Sequence, residues 1–172
     1  MSDVSTSEQL VVSHGQGRSV WLGGLGVDFK VTGERTGGSF AVVEHPIEAG
    51  RLVPPHLHHD EDECSLIVEG RIGARIGDAI VDAGPGDYVW KPRGVPHTFW
   101  NPGPEPARLV EIITPARFEG FFAELGALAA QGLPVEEFTA RRAQLGARYH
   151  QDFVDGWAEE LMATYGLRLL GQ

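Results

Sequence analysis

The sequence is poor in several features that mark whole classes of protein. Cys64 is the only cysteine in 172 residues, so no intramolecular disulfide can form and a cysteine-rich zinc site is excluded. No uninterrupted apolar run approaches the roughly 18 residues that a membrane span needs. Met1 to Gln9 are polar and carry two acidic residues, so they lack the basic head and apolar stretch of a secretory signal. A soluble cytoplasmic protein is the expectation. Lysine is confined to Lys30 and Lys91, and the formal net charge is −10. Without a basic stripe, the electrostatic drive for nucleic-acid binding is missing. Neither nucleic acid nor membrane is an expected partner.

Glycine and proline are concentrated before residue 115, between short runs of β-branched and aromatic residues. Val27–Thr32, Ser39–Glu48, Ser65–Glu69, Arg71–Ile76, Ala79–Asp82, Tyr88–Lys91, Thr98–Trp100 and Arg108–Ile113 all read as strands. Turn sequences such as Gly84-Pro85-Gly86 and Asn101-Pro102-Gly103-Pro104 separate them. Many short strands at this spacing imply an all-β sandwich or barrel. The pattern changes at Thr114, which suits an N-cap, with Pro115 at the first helical position. Phe118, Phe121, Phe122, Leu125 and Leu128 then recur at helical spacing, up to Gly132. Further helices are expected from Pro134 to about Ala147 and from Gly156 to Tyr165. The chain therefore divides into an N-terminal arm (1–26), a β-barrel (27–114) and a C-terminal helical extension (115–172).

The residues suited to chemistry fall in two blocks. In Pro54-Pro55-His56-Leu57-His58 the two histidines stand two apart, which on a strand aims both rings at one face. A polar turn follows, and Glu63 opens the next apolar run, where a hairpin return would set its carboxylate beside the imidazoles. Two histidines and a carboxylate form a facial set for a divalent metal. His97, after the rigid turn Pro92-Arg93-Gly94-Val95-Pro96, adds a third imidazole. Such a set suits one divalent transition metal (iron, nickel, cobalt, manganese, copper or zinc) rather than calcium. Phe99 shares the face of His97, and Tyr88 and Trp90 share a face with each other; all three are candidates for a substrate pocket. Trp100 is expected on the opposite side from Phe99. His14, His45 and His150 are expected to be ordinary, His59 solvated, and Cys64 a buried inert thiol.

These blocks resemble the two motifs of the cupin superfamily. The first reads Gly50, five residues, His56, one, His58, four, Glu63, six, Gly70. The second reads Gly86, five, Pro92, one, Gly94, two, His97, three, Asn101. The resemblance covers about residues 40 to 115. It implies a double-stranded β-helix, or jelly-roll barrel, with His56, His58, Glu63 and His97 holding a metal inside. It also implies a homodimer, in which N-terminal strands pack across the interface.

A less specific resemblance links Arg117–Gly126 to the helical tail of single-domain flavonol (quercetin) dioxygenases. It implies an oxygenase acting on a small aromatic or enol substrate, with Glu63 as both ligand and general base. A non-oxidative metal cupin (lyase, isomerase or polyketide cyclase) is the alternative. Ser65 stands where cupins that cleave dimethylsulfoniopropionate carry tyrosine, which weighs against that subgroup. A small-ligand-binding module without chemistry is the third reading.

Overall fold

Alternation of inward apolar and outward polar side chains builds most of the strands, as in Ala41–Ile47, where Ala41, Val43, His45 and Ile47 are buried. The computed structural model describes residues 10–172. Along the chain come β1 (Ser19–Trp21), β2 (Gly26–Val31), the short helix α1 (Gly33–Thr36), β3 (Ala41–Ile47), β4 (Arg51–Leu52) and β5 (His56–His58). Then follow β6 (Asp62–Glu69), β7 (Ile72–Ile76), β8 (Ala79–Ala83), β9 (Tyr88–Lys91), β10 (His97–Trp100) and β11 (Ala107–Thr114). The C-terminal part holds α2 (Glu119–Ala129), α3 (Val135–Arg148), β12 (Gln151–Phe153), α4 (Trp157–Tyr165) and β13 (Arg168–Leu169). Among the described residues, no helix is long and apolar enough to cross a membrane.

The strands form two sheets rather than one closed ring. One has the order β1-β2-β3-β11-β6-β9. The other runs β12-β5-β10-β4-β13, with β7 joining β10 to β8. Val27, Val43, Ile67 and Leu109 of the first sheet meet Ile72, Ala74 and Phe99 of the second in one core. Two facing sheets agree with the sandwich or barrel expected from the spacing of the strands, and with the jelly roll that the resemblance implies. Close approach has a visible requirement at Gly73, where an added Cβ would lie 2.3 Å from the Trp100 ring.

The extension is partly β-structure, which its helical periodicity does not suggest. Two short strands, β12 and β13, complete the edges of the second sheet. β12 pairs antiparallel with β5, setting Gln151 opposite His58 and Phe153 opposite His56. β13 runs parallel to β4. Helix α2 buries Phe121, Leu125 and Leu128, which join the main core together with Phe118 and with Leu145 of α3. Helix α4 covers the outside of the second sheet, where Leu161 and Leu167 pack on Leu52 and Trp100. Trp100 thus faces away from the main core, as strand parity requires, and stacks on Tyr165.

One local expectation needs correction. Thr114 does not cap α2. It ends β11, paired with Asp62, and its hydroxyl donates to the Ser39 carbonyl. The helix starts at Glu119 after a turn, and the Glu119 carboxylate accepts from the amides of Gly33 and Arg117. In the N-terminal arm, β1 pairs antiparallel with β2; the arm's first nine residues lie outside those described, and its expected packing across a dimer interface is taken up below as a proposal.

Candidate metal centre

Three strands converge on one buried point. β5 supplies His56 and His58, β6 supplies Glu63 at its start, and β10 supplies His97 as its first residue. His97 pairs directly with His56 across the β5–β10 ladder, so neighbouring strands bring the rings together. One ligand atom from each of the four residues lies within 4.8 Å of the other three, and all four side chains are buried. Gly94, at φ 74°, allows the tight turn that delivers His97. Asn101 fixes the far end of β10. Its amide donates to the carbonyls of Ile47 and Glu105, and its oxygen accepts from the Gly103 amide.

Hydrogen bonds set the imidazole tautomers. His56 Nδ1 donates to the Pro54 carbonyl (2.7 Å) and His97 Nδ1 donates to the Val95 carbonyl (3.0 Å). Each ring therefore keeps a lone pair on Nε2, the arrangement common to metal-bound histidines. His58 Nε2 lies 3.3 Å from Glu63 Oε1, while its Nδ1 faces Glu61 Oε2 at 4.0 Å. Both nitrogens of His58 and Nε2 of His97 are buried without a hydrogen-bond partner among the described residues. Such orphans cost stability unless something satisfies them. Burial, then their like neighbours, hold the His56 imidazole well below its ordinary pKa, and burial lowers that of His97. The rings are kept neutral and free to bind a cation. The donor set of three nitrogens and one oxygen fits a divalent transition metal.

The same region is similar to a known family. Residues 44–113 match the family described as cupin domain. That match spans 70 of the 172 residues. Solved structures share its fold. A RmlC-like cupin from Shewanella frigidimarina is 21% identical with a TM-score of 0.54, covering 63% of this chain and 92% of that one. A sugar phosphate isomerase of the cupin superfamily from Silicibacter pomeroyi is 20% identical at TM-score 0.53, over 60% of this chain and 74% of that one. Oxalate decarboxylase from Bacillus subtilis, at 17% identity and TM-score 0.56, covers 91% of this chain and 36% of its own. At these identities the likeness speaks for the fold alone. No curated protein matches the chain in sequence.

Behind the four ligand candidates lies a buried polar network that motif reasoning does not contain. Lys91 Nζ lies 3.0 Å from Glu63 Oε2 and 2.5 Å from Glu111 Oε2, with its side chain 1% exposed. Ser65 donates its hydroxyl to Glu111 Oε2 at 3.0 Å. Burial works against the charged form of Glu63, yet the Lys91 ammonium and then His58 outweigh it and hold the carboxyl well below its usual range. Glu111 is pushed up to about 7, chiefly by burial. Lys91 stays charged: burial lowers its pKa, but the carboxylates of Glu111 and Glu63 raise it by more.

A cavity of about 90 Å³ opens on the site, with His56, Glu63 and Glu111 in its polar wall. Phe118, Phe121 and Phe122 of the extension roof it, and the Phe118 ring meets His58 edge-on at 4.1 Å. Phe99 lines this cavity as expected. Tyr88 and Trp90 do not: they are 67% and 54% exposed on the outer face of β9. Strand parity explains the correction, because Val89 and Lys91 occupy the inward positions of that strand. His45 is not ordinary either. It is buried, lines the cavity and bonds through Nδ1 to the Gly26 carbonyl. His59 and His150 are exposed, each against an aspartate, Asp152 and Asp60 respectively. Cys64 is partly exposed rather than buried.

Proposed function

We propose that the protein is a metal-dependent cupin oxygenase of the flavonol dioxygenase-like kind. On this reading His56, His58, Glu63 and His97 hold the metal, and a small aromatic or enolic substrate occupies the cavity beneath Phe118, Phe121 and Phe122. The observation that carries the reading is the contact between a buried set of three imidazoles with one carboxylate and an aromatic-walled pocket. The bound metal would supply an open coordination position for oxygen chemistry and for the substrate hydroxyl.

The chain's own part is proton handling and exclusion of water. Glu63 Oε1 and Oε2 are the carboxylate atoms available to take the proton of an enolic or phenolic hydroxyl. Lys91, 3.0 Å from Glu63 and 2.5 Å from Glu111, can accept that proton while giving one of its own to Glu111, so one proton moves inward without a net change at lysine. The three phenylalanines exclude competing water.

Oxygen uptake with quercetin, on protein reconstituted with iron, nickel, cobalt or manganese in turn, tests the proposal. Uptake with at least one metal is expected, and Glu63→Gln should abolish turnover while retaining some metal. Absence of uptake with all four would eliminate the flavonol reading. A second reading draws on Glu111, a cavity-lining carboxyl whose pKa near 7 suits proton transfer in a lyase or isomerase. Product formation under strict anaerobiosis would favour it. For quaternary structure we propose a homodimer; the exposed Ile80, Val81, Tyr88 and Trp90 supply an apolar outer face that supports it.

A further inference from the structure

The wall of the cavity carries an arginine that makes no ion pair among the described residues. Arg142 projects from α3 into the same cavity that His56, Glu63 and Glu111 line from below. Its guanidinium lies over the Phe153 ring, 4.6 Å from the centroid. Among the described residues it makes no ion pair, and its Nε is sealed from water without a hydrogen-bond partner. In the wall of the same cavity, Gln151 Oε1 is buried and without a hydrogen-bond partner among the described residues. Arg142 is half-buried and Gln151 buried; burying polar atoms such as Arg142 Nε and Gln151 Oε1 without a partner costs stability, and an arginine cannot relieve the cost by losing its proton. Burial alone perturbs Arg142; no carboxylate acts on it in compensation.

Charge counting points the same way. Glu63, Glu111 and Glu61 are the buried carboxylates of the site, set against Lys91 and Arg142. A divalent cation on the four ligands would add two positive charges, so the filled site keeps an excess positive charge even with all three carboxylates ionised. Glu111, at about 7, is only partly so at neutral pH.

From this we infer that the cavity takes an organic acid, whose carboxylate pairs with Arg142 while its other end faces Glu63 and the histidines. Gln151 Oε1 accepts a hydroxyl or amino proton from the same molecule. Arg142 is then the residue that selects anions over neutral compounds of equal shape. A planar guanidinium, here placed over the Phe153 ring, can make a two-point contact with a carboxylate. This inference rests on the proposed use of the cavity as the substrate site.

The test compares acids with their amides. Salicylate, benzoate and pyruvate are each titrated calorimetrically against the corresponding amide, on metal-loaded and metal-free protein. At least one acid should bind roughly tenfold or more tightly than its amide. In Arg142→Gln that preference should fall to about twofold or less, with metal content unchanged. Arg142→Lys keeps a charge on a similar stem and should hold an intermediate preference, which separates charge from packing. Acids that bind no better than amides in the wild type would overturn the inference, as would a preference that survives Arg142→Gln, or an equal loss for acid and amide. Metal content and oxygen uptake are read separately. Failure of the metal reading would therefore show as missing metal, whereas failure of this one leaves the metal in place.

Discussion

Removing the charge of Lys91 should expose how the buried network is held together. In Lys91→Met the carboxylates of Glu63 and Glu111 lose the ammonium 3.0 Å and 2.5 Å away, in a place closed to water. Breaking a buried charge pair from one side costs about 3–5 kcal/mol. Glu111, already at about 7, can escape by taking up a proton, so the lower end of that range is expected at neutral pH. For a chain of this size, about 3 kcal/mol corresponds to a fall of roughly 6–12 °C in melting temperature. The same reasoning fixes the double variant. In the Lys91→Met background Glu111 is neutral, so Glu111→Gln should add less than about 1 kcal/mol. In the wild-type background it strips Lys91 of a partner and should cost about 2 kcal/mol or more. Urea unfolding of the metal-free protein, followed by tryptophan fluorescence, gives all four corners of this cycle. Additivity of the two substitutions within about 0.5 kcal/mol would refute the coupling, as would a Lys91→Met variant as stable as the wild type.

Two further outcomes follow from the same packing. His45 is lowered from 6.5 to about 4, mainly by burial, so the unfolded chain binds its proton first and His45 removes stability as pH falls from 6.5 to about 4. Glu111, raised to about 7, acts in the opposite direction between its ordinary 4.5 and 7, since its protonated form favours the folded state below that window. His45→Phe should therefore shrink the difference in unfolding free energy between pH 7 and pH 4 by about 3 kcal/mol; an unchanged difference would contradict the burial of a neutral ring. Phe118→Ala, which removes a 1% exposed ring stacked on Phe121 and set against His58, should cost about 3–5 kcal/mol in urea and admit water to the site. A loss below about 1 kcal/mol would show that the roof does not pack as described.

Much of the site was legible because its determinants are local. The i, i+2 histidines, the glutamate after a turn and the histidine after a proline-glycine turn each encode their own geometry. The core strands were legible through alternation. Lys91 and Glu111 could have been found by the same rule, since Lys91 follows Val89 by two and Glu111 stands between Leu109 and Ile113. A charged residue at an inward position is easily taken as a surface residue when the partner that neutralises it is distant in sequence. Tyr88 and Trp90 were misplaced because aromatic character says nothing about which face a strand turns inward. β12 and β13 are two or three residues long and exist only through pairing with β5 and β4, so no local pattern announces them. Arg142 left a trace: it stands four residues after Phe138 and three before Leu145, on the stripe of α3 that faces the cavity.

The convergence of His56, His58, Glu63 and His97 on one cation is tested most directly by elemental analysis of the purified protein beside its His97→Ala variant. The wild type should carry close to one divalent transition-metal ion per chain after reconstitution, and the variant a small fraction of that. A wild type that takes up no stoichiometric metal, or a variant that holds it equally well, would contradict the assignment.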